Sequence, residues 1–395
     1  MKNDALEMLR LFHAELVHIR RDIHAHPELG FEETRTSQLV ADKLAEWGIE
    51  VHRGLAKTGV VGVIHGRKNS GAHAVGLRAD MDCLPMHETG NVPHRSTVAG
   101  RMHACGHDGH TTMLLGAARY LAQTRNFDGT VNLIFQPAEE GGGGGRVMVE
   151  EGLFERFPCD AVYAIHNWPG LAPGRIAVRP GPMMAATDEI KLKVRGRGGH
   201  AALPHLAADP VVMTAHIIAA LQTVASRNAN PVDALVVSLC SMQTSQLGAF
   251  NVIPAHVDLI GTVRTFSPEM RDLAERRIKE IATAVAQGLG GSAEIEYRRG
   301  YPATVNTEAE ALFAARVGEK VFGAGNVVTD GEPTMGGEDF SYMLQAKPGA
   351  YVFLGQGGMQ GGCFLHNPGY DFNDEVIPLG AGYLAALAEE SLPLR

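Results

Sequence analysis

The sequence lacks long apolar runs and runs of basic residues. No stretch of its 395 residues approaches the ~18 uncharged apolar residues that a membrane span requires. No run of Lys or Arg exceeds a few residues and the formal net charge is -9, which argues against nucleic-acid binding. The first thirty residues mix acids, bases and histidines and lack the apolar centre of a signal peptide. We therefore expect a cytoplasmic protein with no membrane or nucleic-acid partner.

The sequence is also poor in cysteine. Its 5 cysteines are an odd number and lie scattered between Cys83 and Cys363. In a chain of this kind, that pattern argues against a disulfide framework. No internal repeat of fixed period is present, so a repeat architecture is excluded as well. Each cysteine has to be interpreted from its own surroundings.

The alternation of strand-like and helix-like segments predicts two domains. Up to residue 184, and again from residue 300 to 395, apolar strands alternate with helices, which is typical of a mostly parallel α/β sheet with helices on both faces. Between residues 185 and 299 the order becomes βαββαβ, that of a ferredoxin-like α+β unit. We predict a discontinuous catalytic domain, 1–184 with 300–395, interrupted by the inserted domain 185–299.

The stretch "MHACGHDGH" has the side chains of a metal site. A single His or Cys near a helix start more often packs or caps than binds a ligand. Cys105 and His107, however, are separated by one residue, and the intervening Gly106 permits a sharp turn. A thiolate and an imidazole in that arrangement can converge on one metal ion.

Similar side chains follow other predicted strands. Glu139 and Glu140 follow the strand "VNLIFQ", His166 lies near the end of "AVYAIHNWPG", and His366 lies near the C-terminus. Ligands of open α/β sheets collect beyond the carboxyl ends of the strands, so these groups are expected to meet there. Two adjacent carboxylates repel each other unless a cation or a shared proton compensates, and bound metal ions supply that compensation.

Several motifs together give the chain a family resemblance: "GLRADMDCLPMHE", "MHACGHDGHTTMLLGAA", "LIFQPAEEGGGGG", "IHNWPG", "GRGGHAALPH", "FNVIPAHVDLIGTVRTF", "MGGEDFSYM" and "FLHNPGYDFNDEVI". They resemble the M20 metallopeptidases, within them the amidohydrolase branch of hippurate hydrolases, bacterial aminoacylases and plant auxin-conjugate hydrolases. The resemblance covers nearly the whole chain.

The resemblance implies two divalent metal ions per subunit, drawn from zinc, manganese, cobalt and nickel. It implies these protein ligands: Cys105, His107, Glu140, His166 and His366. Glu139 resembles the general acid/base, and Asp80 resembles a carboxylate that orients a ligand. More distant peptidase branches have His at the position of Arg78. The implied reaction is hydrolysis of the amide bond of an N-acyl amino acid by a metal-activated water.

The inserted domain resembles a lid and dimerisation domain. His200 in "GRGGH" resembles the histidine that stabilises the tetrahedral oxyanion. Asn251 and Arg264, with Gly336 and Gly337, resemble binders of the substrate's free carboxylate. We expect a homodimer, or a tetramer built from it, in which the inserted domain delivers His200 to the neighbouring subunit.

Other interpretations stay open from the sequence. The chain could be a dipeptidase or aminopeptidase of the same family, or an amidase that uses Cys105 as a nucleophile. A metal-storage or ligand-binding protein on the same fold would not need Glu139. The remaining histidines of interest are not expected to bind metal directly: His24, His26, His103 and His110.

Overall fold

The computed structural model of the chain describes residues 4–71, 73–358 and 363–394. These residues form two compact units. The first lies within Met1–Met183, Val305–Glu332 and Asp339–Arg395, and the second is Met184–Thr304 with Pro333–Glu338. Residues 333–338, which the sequence analysis assigns to the first domain, therefore belong to the second unit. They are tied to it by hydrogen bonds of Ala185 N–H to the carbonyls of Thr334 and Gly336.

The strands are, in chain order, β1 (Glu50–Leu55), β2 (Gly59–His65), β3 (Ala74–Asp80), β4 (Thr130–Gln136), β5 (Ala161–Pro169), β6 (Ile176–Ala177), β7 (Gly181–Met184), β8 (Ala186–Arg195), β9 (Gly199–His200), β10 (Leu235–Thr244), β11 (Val252–Ile253), β12 (His256–Thr265), β13 (Ser292–Arg299), β14 (Thr304–Asn306), β15 (Val327–Val328) and β16 (Gly349–Gly357).

The α-helices are α1 (Asp4–Ala25), α2 (Thr34–Glu46), α3 (His107–Thr124), α4 (Gly144–Glu150), α5 (Leu153–Arg156), α6 (Pro210–Thr223), α7 (Pro268–Gly288), α8 (Glu308–Phe322), α9 (Ser341–Ala346) and α10 (Ile377–Ser391). Among the described residues, every helix is too short or too polar to cross a membrane.

The first unit is built on an eight-stranded sheet in the order β1-β2-β4-β3-β5-β16-β6-β15. The central strands β4, β3, β5 and β16 are parallel, and β1, β2 and β6 add antiparallel pairs. The middle strands are almost entirely buried, as expected for a parallel sheet covered by helices. Helices α1, α3 and α10 pack on one another through Leu16, Leu114 and Leu384. The predicted α/β class is confirmed.

The second unit has the predicted βαββαβ order, β8–α6–β10–β12–α7–β13. Its antiparallel sheet runs β10-β12-β8-β13, and α6 and α7 pack against that sheet. Ile190, Leu259 and Ile278 lie in its separate hydrophobic core. Both helices begin at side-chain caps, Asp209 for α6 and Ser267 for α7, which satisfy a free N–H group in the first turn.

A buried ion cluster joins the first turn of α3 to α1. Asp108 is fully buried between Arg20 Nε at 2.9 Å and His24 Nδ1 at 2.8 Å. His24 also faces Glu88 at 3.5 Å. Although burial opposes it, hydrogen bonds to Asp108 and Glu88 raise the pKa of His24 to about 9. The cluster holds the start of α3 in place, because separating any member would leave a buried charge without its partner.

The cluster predicts a pH dependence of stability. His24 has a raised pKa in the folded state, so its contribution is complete below about pH 6.5 and is lost as pH rises towards about pH 9. The full pKa shift of His24 corresponds to roughly 3 kcal/mol in the free energy of unfolding. Urea unfolding of the metal-loaded protein at both ends of this range should show the decline. A His24→Gln variant should show a smaller decline, and equal slopes in the two proteins would contradict the assignment.

Candidate metal centre

The site lies at the carboxyl ends of β3, β4 and β5, next to the start of α3. Asp80 ends β3, Glu139 and Glu140 follow β4, and His166 lies near the end of β5. Gly106 precedes α3 with a φ of 96°, a conformation that favours glycine. A Cβ there would lie 2.4 Å from Asn167 Oδ1, so any larger residue would displace the turn between Cys105 and His107.

The predicted sulfur and nitrogen ligands converge. Cys105 Sγ lies 3.4 Å from His166 Nε2. Ligand atoms of Cys105, His107 and His166 all lie within 4.8 Å of one another, and all three residues are buried. Three such atoms around one point match the donor set of a transition-metal ion.

The carboxylate and the last histidine complete the arrangement. His366 Nε2 lies 3.1 Å from Glu140 Oε1. Cys105, Glu140 and His366 form a second group within 4.8 Å, and His107, Glu139 and Glu140 form a third. The structure thus brings all five predicted ligands and Glu139 to one place. Cys105, His107 and Glu140 each belong to more than one group, so the groups overlap, as expected for a pair of ions that lie close together.

Two histidines have only one ring nitrogen bonded to the backbone. His107 Nδ1 donates to the carbonyl oxygen of Asp82 at 2.9 Å, and His166 Nδ1 donates to that of Asn167 at 2.7 Å. Loss of a proton from Nε2, which a bound metal ion favours, would leave its lone pair available as a ligand. His107 Nε2 is buried and makes no hydrogen bond to the described residues. A carbonyl on one ring nitrogen and a free lone pair on the other is the arrangement of metal-bound imidazole, so these residues fit divalent ions.

The electrostatics of Cys105 favour a metal ligand over a nucleophile. Burial and the charge of Glu140 raise the pKa of the Cys105 thiol, and burial lowers the pKa of His166. The pair therefore stays neutral by itself, whereas nucleophilic cysteines have a lowered pKa. A bound cation would deprotonate the thiol. The raised pKa of the Cys105 thiol thus argues against the cysteine-nucleophile alternative.

A second carboxylate, Asp82, contacts Nδ1 of the predicted ligand His107 and was not among the residues predicted from the sequence. Asp82 Oδ1 lies 3.3 Å from His107 Nδ1, and its two oxygens accept from the N–H groups of Glu139 and Glu140. Asp80 instead binds His110 Nδ1 at 2.6 Å and lies 3.8 Å from His107 Nε2. Both acids occur in "ADMDC", and only their contacts distinguish the two roles.

Arg78 is a buried cation, which explains why it cannot be a ligand. Its guanidinium contacts Asp80 Oδ2 at 2.7 Å, Gln136 Oε1 at 2.9 Å and Asp339 Oδ1 at 3.1 Å. Although burial opposes it, the charges of His107 and Arg78 hold the pKa of Asp80 well below its usual range. Asp339, from the motif "GGEDF", was a second residue missed from the sequence.

Three of the four histidines that are not expected to bind metal have hydrogen-bond partners. His110 is engaged at both ring nitrogens, by Asp80 and by Asn167, whose N–H donates to Nε2 at 3.0 Å. His24 belongs to the ion cluster under α3, and His26 Nδ1 bonds the carbonyl of Asp22. His103 is buried without a hydrogen bond among the described residues. That none of the four binds metal stays a prediction.

His200 and Asn251 lie together in the second unit. His200 on β9 pairs with Val252 on β11, and both His200 and Asn251 are exposed and border a cavity of about 660 Å³. His200 Nδ1 accepts from the N–H of Ala202 at 3.0 Å, so the neutral ring carries its proton on Nε2. This proton is available to a developing oxyanion.

Arg264 lies elsewhere in the same unit. It is half-buried on β12, opposite Thr187 of β8, and its guanidinium approaches the carbonyl of Met335 at 3.5 Å. Gly337 packs on the same Thr187, where a Cβ would lie 2.3 Å from the threonine methyl group. The structure therefore groups Arg264 with Gly336 and Gly337, as the sequence analysis expects.

The two groups are separated by the length of β12. The cavity beside His200 and Asn251 is also lined by His256, the first residue of β12, whereas Arg264 is near its last. Eight residues of extended chain span roughly 26 Å. One chain therefore cannot place Asn251 and Arg264 on the same small carboxylate, contrary to a shared role within one subunit.

Comparison with known proteins identifies the family of the chain. The sequence pattern of Peptidase family M20/M25/M40 matches residues 76–390. The chain is 42% identical to hippurate hydrolase of Campylobacter jejuni, over 95% of this chain and 96% of that one. It is 41% identical to the IAA-amino acid hydrolase ILR1-like 4 of Arabidopsis thaliana, over 95% and 86%. A dinuclear metal binding peptidase of the M20 family from Bacillus subtilis matches in structure with a TM-score of 0.83 and 33% identity, over 97% and 99%.

We predict that Cys105→Ser weakens metal binding by at least about 10-fold, because an alcohol is far harder to deprotonate than a thiol. Metal titration followed by calorimetry measures the change. Cys240→Ser is the matched control, since that cysteine is exposed on β10 of the second unit. Two equivalents bound with unchanged affinity in Cys105→Ser would contradict the thiolate assignment.

Proposed function

Since the chain belongs to peptidase family M20/M25/M40 and is a hydrolase acting on amide bonds, we propose that its substrates are N-acyl amino acids. The observation that supports this most strongly is the convergence of Cys105, His107, Glu140, His166 and His366 beside a second acid, Glu139. Benzoyl and indoleacetyl conjugates, which the relatives' names indicate, are the first acyl groups to test.

Divalent ions held by the five ligands would supply positive charge that polarises the amide carbonyl and acidifies a water molecule. Glu139 is the proton carrier. Its carboxylate takes a proton from the attacking water and returns it to the leaving nitrogen, so the products are a carboxylate and an amine. The Asp339 N–H, 3.3 Å from Glu139 Oε1, orients that carboxylate. Zinc, manganese, cobalt and nickel all suit a thiolate, imidazole and carboxylate set.

Arg264 is proposed to bind the free carboxylate of the substrate, next to the backbone of Gly336 and Gly337. Burial lowers the pKa of Arg264, but a guanidinium stays charged at neutral pH, and a half-buried position strengthens its pairing with an anion. His200 is proposed to stabilise the oxyanion through its Nε2 proton. A cytoplasmic location and the absence of nucleic-acid and membrane partners stay predictions.

We predict that the metal-loaded enzyme hydrolyses benzoyl, acetyl or indoleacetyl amino acids and loses most of its activity when the substrate's carboxyl group is amidated. A panel that includes a dipeptide with a free amino group also tests the peptidase alternative. Hydrolysis only of the dipeptide would reject the proposed substrate class.

Glu139→Gln should bind the same metal and lose activity by about 100-fold or more, because it keeps the ligands and removes the proton carrier.

The homodimer is proposed from the distance within the second unit. If His200 and Arg264 act on one substrate, roughly 26 Å of β12 requires that they come from two copies of the chain. The exposed edge strand β10 and the apolar side chains Phe250 and Leu247 give the second unit a surface that could pair with its copy.

We predict that His200→Ala and Glu139→Gln, each inactive alone, restore activity when co-expressed. A mixed dimer holds one complete site of two, so the unfractionated random mixture should give up to roughly a quarter of the wild-type rate and the isolated mixed dimers up to roughly half. Differential tags isolate the mixed dimers for the assay. Tagged mixed dimers that are no more active than either parent would show that His200 acts within its own chain or has no role.

A further inference from the structure

The segment that positions the two acids is held by two buried carboxylates. The N–H of Glu139 donates to Asp82 Oδ1 at 3.0 Å, and the N–H of Glu140 donates to Asp82 Oδ2 at 2.9 Å. The N–H just before them, that of Ala138, donates to Glu33 Oε1 at 2.8 Å. Three consecutive amides thus have carboxylate partners that come from distant parts of the chain.

The side chain of Glu33 contacts the backbone of Ala138 and makes no capping bond in its own helix. It is fully buried and immediately precedes α2, yet its side chain does not cap that helix. Its second oxygen accepts from the Thr58 hydroxyl at 2.6 Å, in the turn between β1 and β2. Both carboxylate oxygens are therefore used, one by the turn and one by Ala138.

Ala138 needs such a restraint. Its φ is 54°, in the left-handed region that disfavours side chains other than glycine. It is also packed tightly, because a Cβ on Gly30 would lie 2.9 Å from the Cβ of Ala138. A residue that relaxed from this conformation would rotate the backbone that follows it, and Glu139 follows directly.

We propose that Glu33 is a positioning residue for Glu139: by holding the N–H of Ala138, it fixes the left-handed turn that aims the Glu139 carboxylate into the metal centre. The proposal rests on the proton-carrying role of Glu139 in the proposed function. Asp82 accepts from the N–H groups of the two following residues, whereas the carboxylate that accepts from the Ala138 N–H is Glu33.

Two substitutions of Glu33 distinguish the effect of its side-chain length from the effect of its charge. Glu33→Asp keeps the carboxylate but withdraws it by one carbon–carbon bond, so it loses the Ala138 N–H. Glu33→Gln keeps the length and an acceptor oxygen but removes the charge. Burial raises the pKa of Glu33 to about 7, so a neutral side chain is already close to the native state at neutral pH. If Glu33 acts by positioning Ala138, the Glu33→Asp enzyme should lose turnover and the Glu33→Gln enzyme should keep it.

For Glu33→Asp we expect kcat to fall by about 10-fold to 100-fold, with KM within about two-fold and full metal content, because a misaligned proton carrier affects turnover more than binding. Glu33→Gln should stay within about three-fold of wild type. Hydrogen exchange, which does not depend on activity, should show faster exchange of the 138–140 amides in Glu33→Asp than in Glu33→Gln. Glu32→Asp is the matched control, since that glutamate is exposed and pairs with Arg101 at 3.0 Å.

Two results would overturn the proposal. One is a Glu33→Asp enzyme with wild-type kcat. The other is equal loss in the Asp and Gln variants, which would indicate a requirement for charge or for general stability. The exchange rates are measured whatever the substrate is, so an enzyme that hydrolyses no N-acyl amino acid would reject the proposed function and still leave the restraint on Ala138 tested.

Discussion

One buried carboxylate, Asp82, connects the two chain segments that make the metal centre. It contacts Nδ1 of His107 at the start of α3 and accepts from the backbone of Glu139 and Glu140 after β4. Because the same two oxygens contact His107, Glu139 and Glu140, a shift of any one of these residues would disturb the others. The fold supplies the rest of the alignment by ending β3, β4 and β5 at the same edge of the sheet.

Buried charges around this centre occur in compensated groups. Arg78 lies between Asp80 and Asp339, and Arg20 shares Asp108 with His24. Removing one member would leave an uncompensated charge in a low-dielectric interior, which costs several kcal/mol in typical cases. The groups are therefore rigid supports for His107 and the acidic pair, and they explain why so many charged side chains are buried without being ligands.

The second unit has a different organisation, because its polar residues of interest lie at the two ends of one strand. His200 and Asn251 are near the start of β12, and Arg264 with the glycines of "MGGEDF" is near its end. An antiparallel strand is straight enough that these ends cannot approach each other within one copy. The proposed chemistry therefore requires two copies of the chain, because one copy cannot bring both ends of β12 to the same substrate.

The α/β and βαββαβ classes could be predicted from the sequence, because strand and helix periodicity depend on residue type and local spacing. The five proposed ligands and Glu139 came from the resemblance to the M20 family, and the structure brings their ligand atoms close together. The contacts of Asp82 with His107, the pairing of Arg78 with two carboxylates and the separation of Asn251 from Arg264 could be seen only in the folded chain. Glu33 and Ala138 meet although 105 positions separate them. Such contacts depend on which segments pack together in space, and no local pattern of residues encodes that.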